Sequence, residues 1–247
     1  MPEIGLQLYT LRELMEQDFI GTLKKVAKIG YQAVEFHHFG GMTAKELRGV
    51  VDDLGLKPLS SHVALDRLEH ELEQVISESV ELGLEYVVCP WLPESRRETP
   101  EAIASLASVL EKIGARCQEA GLQFAYHNHD FEFAKVGDEF ALDVLFANTS
   151  ANHVQAELDL YWIKRAGQDP VAYIQKYKNR CDLLHVKDMS AKDGSFDTVG
   201  QGVLPWPDIF AAAEQAGAKW YIVEQDVCPG DPLESIQTSL QFLLQQR

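Results

Sequence analysis

The regular alternation of short apolar runs with longer amphipathic runs constrains this chain more than any other feature of its sequence. The short runs have the composition of strands, and several of the longer runs end at a glycine, as helices commonly do. These helix-ending residues are Gly30, Gly55, Gly83, Gly121 and Gly217. Strands that alternate strictly with helices pair in parallel and are buried on both faces. Eight such units in 247 residues predict an α/β fold, a single (β/α)8 TIM barrel that occupies 1–247 as one domain.

The predicted elements follow one another without a linker or a low-complexity segment. The expected strands are Ile4–Tyr9, Ala33–Phe36, Lys57–Val63, Tyr86–Pro90, a fifth that starts at Phe124, Val154–Leu160, Cys181–Val186 and Tyr221–Glu224. The clearest helices are Asp18–Ile29, Thr43–Leu54, Asp66–Leu82 and Thr99–Ala120, and Met189–Pro205 is predicted as a loop. No GxGxxG follows the first strand and no P-loop sequence occurs, which argues against a nucleotide-binding sheet.

Charge and composition limit the partners that we expect. The net charge is −16 and the pI is near 4.8, so a nucleic-acid-binding face and a basic membrane-binding patch are both disfavoured. The N-terminus lacks the pattern of a signal peptide, and the four cysteines form no CxxC pair. We therefore expect a soluble cytoplasmic protein, a monomer or a homo-oligomer, whose partner is a small molecule.

Metal-binding residue types stand where four predicted strands end. The fifth strand runs into His127 and His129, and the later strands deliver Asp159, His185 and Glu224. Active sites of such barrels lie at the carboxyl ends of the strands. The intervals 127–159, 159–185 and 185–224 each approximate one strand–helix repeat, so we expect these side chains to converge.

Imidazole nitrogens combined with carboxylate oxygens indicate a site for a transition metal. Such donors suit Mn²⁺, Zn²⁺, Co²⁺ or Fe²⁺ better than Mg²⁺ or Ca²⁺, which prefer oxygen alone. We predict one divalent metal ion, with Mn or Zn favoured. Its predicted ligands are His127, Asp159, His185 and Glu224. The residues alone leave open whether His127, His129 or Glu132 supplies the fourth ligand.

Other strand-end residues are candidates for contacts with a substrate. They are Tyr9, Glu35, His62, Trp91, Trp162 and Lys187. Glu35 and His62 are expected to contact hydroxyl groups. The two tryptophans would supply apolar wall for a sugar face, and Lys187 would hold an anionic group or hydrogen-bond an enediolate. Taken singly, each residue has an ordinary alternative as a hydrogen-bonded loop residue or as part of the core.

Several segments resemble the sugar phosphate isomerase/epimerase family, the xylose isomerase-like TIM barrels. They are Gly5–Arg12, Gly30–Phe36, Glu157–Trp162, His185–Asp188, Val199–Gly202 and Val223–Glu224. The resemblance covers essentially the whole chain. Members of the family hold a metal with Glu, Asp, His and Glu, and Asp159, His185 and Glu224 match the last three. His127 stands in place of the first Glu, a departure that is similar to inosose dehydratase.

The resemblance implies a divalent-metal-dependent isomerase or epimerase that acts on a sugar or keto-sugar through a metal-stabilised enediolate. Glu224 is the predicted base, and His127 or His129 would act as acid or second base. The alternative within enzymes is a dehydratase or lyase acting on a keto-sugar or keto-inositol. An endonuclease IV-like nuclease is opposed by the charge of −16. A non-catalytic sugar-binding barrel is a further alternative.

Overall fold

A computed structural model describes residues 2–246, and within them the chain forms a closed barrel of eight parallel strands surrounded by helices. In chain order the strands are β1 (Glu3–Gln7), β2 (Ala33–Phe36), β3 (Lys57–His62), β4 (Tyr86–Cys89), β5 (Gln123–His127), β6 (Val154–Asp159), β7 (Leu183–Val186) and β8 (Trp220–Val223). Each strand pairs with its neighbours in the chain, and β1 closes the ring by pairing with β8. The predicted (β/α)8 barrel is confirmed.

Several of the eleven helices in the described residues begin or end at recognisable capping residues. The helices are α1 (Arg12–Gln17), α2 (Phe19–Ile29), α3 (Ala44–Leu54), α4 (Leu65–His70), α5 (Leu72–Leu82), α6 (Pro100–Glu119), α7 (Ala141–Ala147), α8 (Leu160–Arg165), α9 (Pro170–Lys176), α10 (Trp206–Ala216) and α11 (Pro232–Leu244). Thr43 forms a capping box with Glu46 at the start of α3, and Thr99 caps α6 with Pro100 in its first turn. Gly30, with φ of 115°, ends α2 in the left-handed region. None of the helices in the described part of the chain is long and apolar enough to cross a bilayer.

Two predicted segments differ from the structure in detail. The helix predicted over Asp66–Leu82 is two helices, because Glu71 leaves helical geometry between α4 and α5. The segment predicted as the loop Met189–Pro205 contains Phe196–Asp197, which pairs with Asp188–Met189 as a short antiparallel hairpin. Neither change moves a barrel strand, so the positions of the strand ends are unaffected.

The interior of the barrel changes from apolar to charged along several strands. Side chains two residues apart point to the same side of a strand. Leu183 at the start of β7 is therefore followed on the inner side by His185 and then by Lys187. In the same way Ile222 of β8 precedes Glu224. The apolar layer closes the amino end of the barrel, and the charged layer lies at the end where a substrate can enter.

Candidate metal centre and active site

Four buried donors meet at the carboxyl end of the barrel. His127 Nε2 lies 3.2 Å from Asp159 Oδ2, and His185 Nδ1 lies 2.9 Å from Glu224 Oε2. One ligand atom from each of these four residues lies within 4.8 Å of the other three. All four side chains are buried, so these charges face little water. Two imidazoles and two carboxylates in this arrangement fit a transition metal ion.

Adjacent strands bring these donors together because the barrel register is regular. Asp159 is paired with His185 across β6 and β7, and His127 is paired with Glu157 across β5 and β6. The backbone N–H of Asp159 also donates to Asn128 Oδ1 at 3.0 Å. The Asp159 carboxylate in turn accepts from the backbone N–H of Trp162 at the start of α8, which fixes its orientation.

A buried ammonium group lies against two of the four donors. Lys187 Nζ is 2.6 Å from Glu224 Oε2 and 3.0 Å from Asp159 Oδ2, and its third partner is Asp226 Oδ2 at 2.7 Å. Burial raises the pKa of Glu224, but the charges of Lys187 and His185 outweigh that effect and hold this pKa well below its usual range. The same ammonium, working against burial, lowers the pKa of Asp159 to about 2. Both carboxylates are therefore ionised at neutral pH.

A second network lies directly beneath the first and shares His185 with it. His185 Nε2 is 2.8 Å from Glu35 Oε1 and 3.3 Å from Glu157 Oε2. His62 Nε2 is 3.0 Å and 2.9 Å from the same two oxygens. Ser60 Oγ donates to the other oxygen of Glu35 at 2.6 Å. Burial lowers the pKa of His185, but the charges of Glu157 and Glu35 and the hydrogen bonds to Glu157 and Glu224 raise it well above its usual value. Both ring nitrogens of His185 therefore carry protons, and a metal ion would take the place of the proton on Nδ1.

His62 carries a positive charge in this network. Burial alone lowers the pKa of His62, but the charges of Glu35 and Glu157 and the hydrogen bonds to them raise it to about 10. The imidazolium is therefore the form present at neutral pH. His129 behaves in the opposite way, because burial and the neighbouring His127 and Lys187 lower its pKa to about 2. His129 is a neutral imidazole whose buried Nδ1 has no hydrogen-bond partner within the described residues.

An open cavity of about 400 Å³ lies above the four donors. It is lined by Tyr9, His37, His62, Ala64, Pro90, Trp91, His127, His129, Lys187, Glu224 and Asp226. Trp91 is half exposed at the rim, and Tyr9 is partly exposed there as well. The cavity has room for a sugar-sized molecule and presents base, acid and aromatic side chains to it.

The structure brings most of the predicted site residues to this cavity, places Asp159 and His185 in the donor group below it, and places Glu35 and Trp162 elsewhere. Glu35 is fully buried below the donors and is bonded to Gln7, Ser60 and the two histidines, so it supports the site from beneath. Trp162 packs against His129, with ring centroids 5.3 Å apart. Glu157 was not predicted. Its position two residues before Asp159, on the same inner side of β6, is the signal that would have indicated it.

Glu132, the alternative fourth ligand, is bonded to other groups and lies outside the set of mutually close donor atoms. Its carboxylate accepts hydrogen bonds from Tyr126 Oη and from the backbone N–H of His129, the latter at 2.7 Å. The group of mutually close donor atoms contains His127 in its place. Burial raises the pKa of Glu132 to about 7, and the hydrogen bonds from Tyr126 and His129 only partly oppose this.

The raised pKa of Glu132 predicts a pH-dependent contribution to stability. A carboxyl group with a higher pKa in the folded than in the unfolded protein stabilises the folded state while it is protonated. This stabilisation is complete at pH values below the pKa of the unfolded state, and it is lost as the pH rises through the pKa of the folded state. We expect the free energy of unfolding of the wild type, minus that of Glu132→Gln, to fall by about 3 kcal/mol between pH 4.5 and pH 7.5. Urea unfolding of both proteins over this range measures it. A constant difference would contradict the prediction.

The barrel and its cluster of nitrogen and carboxylate donors define the general class, a (β/α)8 protein with a candidate metal centre at the carboxyl ends of its strands. Residues 23–246 match the family model of the xylose isomerase-like TIM barrel. The chain therefore belongs to the xylose isomerase-like TIM-barrel family. This result confirms the resemblance seen in the sequence.

Individual relatives agree with this assignment. A crystal structure of a sugar phosphate isomerase/epimerase from Parabacteroides distasonis superimposes with a TM-score of 0.86 and 27% identity, covering 98% of this chain and 93% of that one. An inosose dehydratase from Lacticaseibacillus casei is 27% identical over 158 residues, 56% of this chain. That match spans 52% of the dehydratase, so the chain covers about half the length of this curated relative. The IOLI protein with a bound zinc atom superimposes with a TM-score of 0.78 at 16% identity, covering 98% of this chain and 97% of that one.

Proposed function

We propose that the protein is a divalent-metal-dependent enzyme that removes the proton next to the carbonyl group of a keto-sugar or keto-inositol. The observation that carries the proposal is the group of four mutually close donors at the floor of an open cavity. His127, Asp159, His185 and Glu224 would hold the metal, which supplies Lewis-acid polarisation of the carbonyl group. A protein of the same fold, IOLI, binds a zinc atom, which agrees with a metal ion as the cofactor in this proposal.

Glu224 is the base in this proposal. Its carboxylate is ionised, lines the cavity and follows β8 directly. Glu224 would take the proton from the carbon next to the carbonyl group, and the electron pair of that C–H bond would move to the carbonyl oxygen as an enolate. A carboxylate in this position suits the task because its hydrogen-bonded neighbours fix its orientation before the substrate arrives.

The second step that we propose is elimination. Lys187 and His62 are charged side chains that line the cavity, and either one would protonate a leaving oxygen on the next carbon. The enolate electrons then form the carbon–carbon double bond as the carbon–oxygen bond breaks, which releases water or an alcohol. The likeness to inosose dehydratases, and the His at position 127, support this outcome.

Isomerisation or epimerisation is the second candidate. His129 lines the same cavity and would be the group that carries the second proton transfer that these reactions require. The isomerase/epimerase relative from Parabacteroides distasonis supports this outcome. Either reaction starts with the same proton abstraction by Glu224.

Incubation with Mn²⁺ or Zn²⁺, an inosose and a panel of ketohexoses in D₂O tests the proposal. Deuterium entering the carbon next to the carbonyl group is the result expected for at least one substrate. Elimination gives an unsaturated ketone of lower mass, whereas isomerisation leaves the mass unchanged apart from deuterium. Absence of both deuterium exchange and elimination product with every substrate, in protein that holds metal, would favour a non-catalytic sugar-binding barrel.

Glu35 is expected to strengthen metal binding through His185. Glu35→Gln replaces the carboxylate that accepts from His185 Nε2 with a weaker neutral acceptor of the same shape. Loss of such a partner typically weakens metal affinity by about 10–100-fold, and we expect a fall in that range by calorimetry. Glu111→Gln is the matched control, because Glu111 pairs with the partly exposed His153 outside the site. Equal affinities in both variants would contradict this role.

A further inference from the structure

Lys187 is the feature of the site that the proposed metal does not explain. Its ammonium contacts three carboxylates, and two of them belong to the proposed metal ligands. The contacts involve the same oxygen atoms that face the histidines. Asp159 Oδ2 lies 3.2 Å from His127 Nε2, and Glu224 Oε2 lies 2.9 Å from His185 Nδ1.

A divalent cation and this ammonium would therefore share two oxygen atoms. Like charges a few ångströms apart in a buried site repel strongly, because little water screens them. Removing both cations is also unfavourable, since Asp159 and Glu224 would then keep only His127 and His185 as partners in a buried site. The two carboxylates therefore favour one further cation beside the histidines, either the ammonium or the metal.

Asp226 offers Lys187 a place outside the metal ligands. Its Oδ2 lies 2.7 Å from Lys187 Nζ, and Arg12 Nη1 donates to its backbone carbonyl at 2.8 Å, which fixes this residue at the cavity edge. The rings of Trp162 and Phe196 also lie within 6 Å of the ammonium, with centroids at 5.8 Å and 5.9 Å. Aromatic faces attract a cation at this range.

We propose that Lys187 is an internal cation that a metal displaces from Asp159 and Glu224 onto Asp226. Without metal the ammonium neutralises the ligand carboxylates and keeps the site folded. With metal it remains paired with Asp226 and turns its remaining N–H groups to the cavity. Metal loading thereby presents a positive charge to the substrate. This inference rests on the metal site proposed above.

A double-mutant cycle on metal affinity tests the displacement. Calorimetry with Mn²⁺ alone is performed on the wild type, Lys187→Met, Asp226→Asn and the double variant. Lys187→Met removes the competitor, and we expect Mn²⁺ to bind at least tenfold more tightly. Asp226→Asn removes the place to which Lys187 moves, and we expect binding to weaken at least threefold. In the double variant the Asp226→Asn effect should vanish, because no ammonium remains to be moved.

The outcomes separate the displacement from the metal site itself. Unchanged or weaker binding by Lys187→Met, with metal still bound by the wild type, would overturn the displacement and leave the proposed function intact. Absence of binding by the wild type and by Lys187→Met would overturn both. Binding by Lys187→Met alone would support the competition and remove the metal from the wild-type mechanism. If Lys187→Met does not fold, the test rests on Asp226→Asn. An Mn²⁺ affinity equal to that of the wild type in Asp226→Asn would contradict the proposal. Lys219→Met, which breaks the pair with Asp182 at the other end of the barrel, is the control.

Discussion

Asp159→Asn is expected to reduce bound metal from about one ion per chain to about a tenth of that or less. Asp159 supplies a buried, ionised oxygen next to His127, and an amide oxygen is a much weaker ligand for Mn²⁺ or Zn²⁺. The variant should still fold, because Lys187 keeps Glu224 and Asp226 as partners. Elemental analysis of wild type and variant, both purified without chelator, measures the change.

The matched control for this experiment is Asp182→Asn. Asp182 also pairs with a lysine, Lys219 at 2.8 Å, but near the start of β7, at the opposite end of the barrel. Its substitution should leave the metal content unchanged. Equal metal content in the wild type and Asp159→Asn would refute the assignment of this residue. Repeated absence of metal from the wild type would mean that the strand-end cluster is a hydrogen-bond network closed by Lys187.

The alternation of short apolar runs with amphipathic runs was sufficient to predict the barrel. Each run indicates a strand or a helix, and eight strand–helix units are the number that closes a (β/α)8 barrel. The convergence of His127, Asp159, His185 and Glu224 was also predictable, since equivalent positions on successive parallel strands meet at one end. The sequence could not indicate which atoms would meet. Lys187 lies two residues after His185, and its contact with the two ligand oxygens depends on side-chain conformation.

The supporting layer beneath the metal centre was predicted only in part. Glu35 was predicted to contact substrate hydroxyl groups, but it lies buried below the cavity, in a part of β2 whose register with β3 is irregular. Glu157 was overlooked because the flanking run reads as an apolar strand that ends at Asp159. The break at Glu71 between α4 and α5 has no glycine or proline to mark it. Such features depend on tertiary packing rather than on local sequence preference.

Glu224→Gln is expected to slow deuterium exchange next to the substrate carbonyl group by roughly 10³-fold at saturating metal. The amide has nearly the shape of the carboxylate and can still lie against His185 and Lys187, but it cannot accept the proton. Glu224→Asp keeps the negative charge but shortens the side chain by one methylene group. This variant should retain metal and catalyse deuterium exchange at a rate between those of the wild type and Glu224→Gln. The metal content of each variant is measured in parallel. This measurement distinguishes the loss of a catalytic base from the loss of a metal ligand.

The exchange rates and metal contents of these variants together decide whether Glu224 acts as a base or as a metal ligand. If Glu224→Gln loses exchange while holding metal, the carboxylate is the base and elimination or isomerisation must follow from it. If exchange and metal fall together, and added Mn²⁺ restores both, Glu224 acts chiefly as a ligand. Exchange at the wild-type rate in metal-loaded Glu224→Gln would refute its part as base. His129, with its neutral imidazole facing the same cavity, would then be the residue to replace next.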